Sequence, residues 1–148
     1  MGKRHRAREL AMQVLFHLEF NGGDPDEVFG LVCDNFNSPL SIRDFARKLL
    51  LGVCNNKEKL DSMIKRSSKN WRLERMSHVD RNILRLATCE ILCMSDIPPK
   101  VSINEAVELG KRYGNEDSGA FINGILDDIY KNLVMNGVIQ NPMNEDSL

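Results

Sequence analysis

The chain has 148 residues, a formal net charge of −1 at pH 7, and 42% hydrophobic and 28% charged residues. That is the make-up of one ordinary globular domain with a sizeable core, and it excludes a wholly basic nucleic-acid binder, so any such binding has to come from a local patch. No apolar run approaches the roughly 18–20 residues of a membrane span, and no apolar stretch follows the basic start to make it a signal peptide.

Residues 3–20 read as a first helix. Ala7, Ala11, Val14, Leu15 and Leu18 recur at helical spacing, and Asn21-Gly22-Gly23 stops it. Its start carries Lys3, Arg4, His5, Arg6 and Arg8. Cations oppose the macrodipole at a helix N-terminus, which points either to an external anion such as phosphate or to a solvated end. Pro25 suits the first turn of a second helix running to about Phe36. Asn37-Ser38-Pro39 reads as a turn. Ser41 reads as the cap of a third helix, with Ile42, Phe45, Ala46, Leu49, Leu50 and Val53 on its apolar side. Asn55-Asn56 breaks it, and a fourth helix runs from about Lys57 to Ser67. The basic, polar stretch 65–69 reads as a solvated loop, and Trp71 as the anchor of the connector that follows.

Ser77 or His78 opens a fifth helix to about Met94. Ile83, Leu84, Ala87, Ile91 and Met94 mark its buried side, with Arg81 and Arg85 one turn apart on the opposite, outer face. Asp96-Ile97-Pro98-Pro99 is a rigid bend. Residues 99–130 carry the clearest punctuation and are expected to organise the chain. Ser102 with Glu105 three residues on reads as a capping box, and Ile103, Ala106, Val107 and Gly110 as one stripe. Gly114 reads as a left-handed stop. A second start follows at Glu116-Asp117-Ser118, where acidic groups suit a helix N-terminus, with the stripe Ile122, Ile125, Leu126, Ile129 and Leu133.

Phe121 lies about 100° from the centre of that stripe, with Asp117 one turn earlier on the same side. Gly119 and Ala120 leave the backbone between them open to close approach. A ring, a carboxylate and small neighbours at a helix start suit a recognition surface. Packing of Phe121 under another helix is the competing reading.

No strand alternation, internal repeat or linker is visible, so six or seven helices give an all-α bundle. Residues 1–134 form the domain, and the polar stretch 135–148 is expected to be a flexible tail. Cys89 and Cys93 lie one turn apart, but no second ligand cluster accompanies them. With Cys33 and Cys54 they read as buried and reduced. Phosphate-cradling, dinucleotide and His-Glu-x-x-His motifs are lacking. Glu105 and Glu108 read as cap partner and as partner of Arg112, and His5, His17 and His78 are scattered. No metal, cofactor or catalysis is expected.

Several stretches resemble the bacterial NusB transcription antitermination family. They are Arg6-Ala7-Arg8-Glu9, residues 79–87, residues 103–109, Gly114, Glu116-Asp117-Ser118 and residues 121–127. Together they span roughly residues 4–130. The resemblance implies an all-α fold of two packed helical subdomains. It implies binding of boxA-type single-stranded RNA in nascent ribosomal RNA, together with NusE, a small-subunit ribosomal protein. It further implies modification of the elongating RNA polymerase alongside other Nus factors, in the cytoplasm and without catalysis.

Carried over by motif, the RNA contacts fall on Arg4, His5, Arg6 and Arg8, which would neutralise phosphates. Arg85 falls in the matching central motif. Asp117, Ser118 and Phe121 match a further segment, where the ring would stack on a base. His5 stands where an Arg is common. The partner surface includes Glu74 and Asp80. Two alternatives are a helical adaptor or homodimer with an occluded RNA surface, and a stand-alone relative of the RNA-binding domain of a ribosomal RNA methyltransferase. A chain of this length is not expected to hold the α/β catalytic domain of the latter. Self-association of the free protein stays open.

Overall fold

The structure is a computed structural model that describes residues 3–36, 39–69 and 72–139. Among the described residues there are seven α-helices and no strand: α1 (Lys3–Asn21), α2 (Pro25–Phe36), α3 (Leu40–Asn55), α4 (Lys57–Ser67), α5 (His78–Cys93), α6 (Pro99–Tyr113) and α7 (Ser118–Met135). A single 3-10 turn, Leu73–Arg75, leads into α5. The all-α expectation holds, with most helix bounds within a residue or two. Asn37, Ser38, Trp71 and residues 140–148 lie outside the described residues, and so do the turn, anchor and most of the tail expected there. No described helix is long and apolar enough to cross a membrane.

Helices α1, α2 and α3 pack on one another, and α4 to α7 form a second group. α5 joins the two, touching α1, α3, α4, α6 and α7. It is therefore α5, and not the α6–α7 pair, that organises the chain. The reason is steric: a helix with neighbours on every side has no outer face. Besides Ile83, Leu84, Ala87 and Ile91, α5 buries Asp80, Asn82, Arg85, Thr88 and Glu90. The expectation that Arg81 and Arg85 face outward is corrected accordingly. Arg85 is buried and clasps Asp61 of α4 through Nε (2.7 Å) and Nη2 (3.0 Å). Arg81 pairs with Glu19 of α1 and donates to the Leu73 carbonyl at 3.2 Å.

The predicted stripe of α7 is buried throughout: Ile122, Ile125, Leu126, Ile129 and Leu133. It meets Leu60 and Ile64 of α4 and Ile83 and Leu84 of α5 in one core. Burial of each such side chain contributes about 1.5–3 kcal/mol. Phe121 lies off this stripe yet is half-buried against the core's edge.

Three punctuation marks act differently from their expected roles. Pro99 is the first residue of α6, so Ser102 lies inside the helix instead of capping it. The serine is buried and donates to Glu90 Oε1 at 2.8 Å. Pro39, not Ser41, flanks the start of α3. Gly114 is not left-handed, with φ −96°. A Cβ there would lie 2.6 Å from Ser118 Cβ and 2.8 Å from the Gly110 oxygen, so it is glycine because the end of α6 meets the start of α7 without space. Left-handed stops stand instead after α1, at Gly22 (φ 69°), and after α7, at Gly137 (φ 72°). Val138 N–H bonds the Leu133 oxygen (2.9 Å) and Gly137 N–H the Val134 oxygen (3.1 Å), a Schellman closure. This closure lies within residues 135–139, the part of the expected tail that falls among the described residues.

Cys33 and Cys89 are buried as expected, but Cys93 is exposed. Burial, followed by the neighbouring Cys93, pushes the Cys89 thiol up to about 12. Among the described residues no three His, Cys, Asp or Glu side chains are grouped to hold a metal ion.

Candidate nucleic-acid interface

The basic start of α1 divides between surface and interior. At about 100° per residue, Arg4 and Arg8 share a side of the helix while Arg6 lies about 160° from Arg4. Arg8 is 5% exposed. Its Nε donates to Glu90 Oε2 at 2.9 Å, and a second nitrogen takes Glu90 Oε1. The guanidinium also sits 5.6 Å from the Phe45 ring centroid. His5 is buried as well. Its Nδ1 is 2.6 Å from Glu105 Oε2 and its Nε2 is 3.4 Å from Glu9 Oε1. The unfavourable cation cluster is thus balanced by carboxylates of α1, α5 and α6. His5 and Arg8 are corrected from surface phosphate contacts to interior partners, because α5 and α6 cover that side of α1.

Arg4 and Arg6 stay exposed. Arg4 pairs with Asp96 at 2.9 Å and lies 5.1 Å above the Phe45 ring. That pair is open to solvent on both sides, and such pairs contribute little, so Arg4 can exchange Asp96 for a phosphate. Arg6 shares a helix face with Glu9, three residues on.

Glu9 ties α1 to the last turn of α6. It accepts the Tyr113 hydroxyl and lies 3.3 Å from Arg112 Nη1. Arg112 in turn sits 5.4 Å above the Tyr113 ring. Glu108, expected to serve Arg112, pairs with Lys111 instead, at 3.7 Å. Burial, then the Glu9 hydrogen bond, pushes the Tyr113 phenol up, which keeps it a donor to that carboxylate.

The α7 start completes this side. Asp117 is exposed at the N-cap position, but its own carboxylate makes no capping bond. Asn115 does that work: its Oδ1 accepts the Asp117 N–H at 2.8 Å. Ser118 is 1% exposed and its Oγ accepts the Asn115 N–H at 3.0 Å, so its expected place at the surface is corrected to a closing bond inside the corner. Phe121 follows one turn after Asp117, its N–H on the Asp117 carbonyl at 3.0 Å. The ring is half-buried, packed against the core's edge with part of it open to solvent.

Arg85 does not join these groups: Asp61 accepts from its Nε and Nη2, and its Nη1 lies 3.5 Å from Asn82 Oδ1. Of the partner-surface pair, Glu74 is exposed and 3.9 Å from Lys65. Asp80 is buried, and its Oδ1 has no hydrogen-bond partner among the described residues. Its expected exposure is corrected: it occupies the first turn of α5, where Ser77 Oγ accepts its N–H at 3.0 Å.

Glu90, Glu9, Arg112 and Tyr113 were not legible as site residues. Glu90 had one signal, a carboxylate set amid the largely apolar second half of α5.

The NusB family model matches residues 5–131. The chain belongs to the NusB family. A transcription antitermination protein NusB of Desulfatibacillum aliphaticivorans is 50% identical over 90% of this chain and 93% of its own. Another, of Desulforapulum autotrophicum, is 52% identical over 87% and 92%. Among solved structures, NusB of T. maritima superposes with TM-score 0.81 at 42% identity, covering 86% of this chain and 90% of that one. Antitermination factor NusB, solved with NusE and double-stranded RNA, gives TM-score 0.81 at 32% identity, covering 88% and 98%.

Within this NusB fold, Asp117 opposes two demands. A carboxylate at a helix N-terminus stabilises by about 0.3–1 kcal/mol, yet a negative charge repels phosphate. Asp117→Asn is expected to lower stability slightly while holding or improving any affinity for RNA, measured by denaturant unfolding and a binding titration. A large loss of RNA binding in the folded variant would instead make the carboxylate a base acceptor.

Proposed function

We propose that the chain is a transcription antitermination factor that binds boxA-type single-stranded RNA of nascent ribosomal RNA together with NusE, and so modifies the elongating RNA polymerase. The observation that supports this reading is the likeness, over 88% of the chain, to a NusB solved with NusE and double-stranded RNA. It acts by binding and not by catalysis, in the cytoplasm where ribosomal RNA is made. Residues 1–134 constitute the binding domain, with 135–148 as an appendage. Arg4 and Arg6 supply phosphate contacts, and Phe121 offers its exposed part to a base. Asp117 lines the same corner. Exposed Glu74 suits the NusE-facing surface, and Asp80, buried in the first turn of α5, contributes to it from within the fold.

Phosphate neutralisation on a single strand gives a slope of about −0.7 per contact in log affinity against log salt. Replacing Arg4 and Arg6 with Ala is expected to flatten that slope and weaken boxA binding, with the unfolding midpoint nearly unchanged. A salt series with and without NusE checks it. An unchanged slope in this folded variant would refute the phosphate role of the α1 start.

A further inference from the structure

Between the α1 start and the α7 start runs the last turn of α6, and it carries two exposed cations. The side chain of Arg112 is 59% exposed and that of Lys111 is 64% exposed. Neither stands in a motif that marks RNA contact, and each faces only partial neutralisation. The Lys111 pair with Glu108 is open to solvent at 3.7 Å, and such pairs contribute little.

The two are nonetheless held in place. Arg112 is steadied from beneath by the Tyr113 ring at 5.4 Å and from the side by Glu9 at 3.3 Å. Glu9 also accepts the Tyr113 hydroxyl, so ring, carboxylate and guanidinium form one unit. Lys111 lies across Gly119: a Cβ there would come 3.1 Å from Lys111 Cγ. The missing side chain therefore gives the lysine stem its course over the first turn of α7.

We propose that Arg112 and Lys111 are phosphate contacts that bridge the α1 and α7 parts of the RNA surface into one track. This rests on the RNA reading above and extends it. The track then runs from Arg6, past Glu9 on the same helix face, through Arg112 and Lys111 to Asp117 and Phe121. Glu9 is the positioning residue: it touches no RNA but aims Arg112. The ligand class is the backbone of single-stranded RNA, recognised by charge and not by base.

The test uses the full chain with NusE and a boxA RNA oligonucleotide across a salt series. Arg112→Gln and Lys111→Gln together are expected to reduce the magnitude of the salt slope by about 1.4, two single-strand phosphates. Affinity at low salt should fall about tenfold, with the thermal midpoint within a few degrees of the parent. Arg112→Lys alone should keep nearly the whole slope, since charge and not the fork is what phosphate neutralisation needs. An unchanged slope in the folded double variant, while the Arg4 and Arg6 variant flattens it, overturns this inference alone. No salt-dependent RNA binding by the unaltered protein overturns the RNA reading and this inference with it.

Discussion

Glu90→Ala is expected to lower the stability of the fold by about 3–5 kcal/mol. Glu90 is 2% exposed and accepts two bonds from Arg8 and one from Ser102. Removing it leaves a buried hydroxyl without its acceptor and a buried guanidinium with only Glu105, 3.8 Å from its Nη1, as counter-charge. Arg8→Ala should cost a similar amount by stranding the carboxylate. A loss of that size is a large share of the about 5–15 kcal/mol that holds a domain together. Replacing both, as Arg8→Met with Glu90→Leu, should recover most of it, since apolar side chains of similar volume often substitute for a buried pair without net cost. Denaturant unfolding of the two single variants and the double decides the matter. A single-variant loss below about 1 kcal/mol, the size usual at exposed positions, would sink the reading of Arg8 as an interior partner.

Phe121→Ala is expected to divide its effect between fold and function. Truncating a fully buried phenylalanine costs about 3–5 kcal/mol. Phe121 is only half-buried at the core's edge, so about 1–2 kcal/mol is expected. The larger consequence should fall on boxA RNA, where a stacked base contributes about 1–3 kcal/mol, a loss of tenfold or more in affinity. Binding to NusE should be unchanged. Unfolding curves paired with an RNA titration at low temperature separate the two effects. Full affinity in a strongly destabilised variant would return the ring to the core.

What was legible beforehand followed from local chemistry. Pro25, the Asn56 break and the α7 stripe each depend on neighbours within a turn or two, and each emerged close to its expected place. The failures share a cause: partners distant along the chain. Arg8 and Glu90 are 82 positions apart, and His5 and Glu105 are 100 apart. No periodicity announces such a pair, so two interior groups passed for surface cations. Ser102 and Glu105 fit a capping box by spacing, while Pro99 had already opened the helix and left both free to serve α5 and α1. Ser118 and Gly114 were readable as turn chemistry, but not as the two faces of one contact between helices. On α1 the exposed Arg4 and Arg6 were distinguishable from His5 and Arg8 only once α5 and α6 were in place.

The alternation along α1, with Arg4 and Arg6 outside and His5 and Arg8 bolted to α5 and α6, bears on the thermodynamics of encounter. A helix end usually frays, and a ligand that needs it straight must supply the ordering entropy, about 1–2 kcal/mol per residue for the backbone alone. Here the interior pairs have already met that cost during folding, so the outward arginines stand on a turn that is rigid before RNA arrives. Calorimetry should accordingly find little protein ordering on association. On the proposed function, the entropy surrendered should belong to the nucleic acid, with the single strand adapting to the helix.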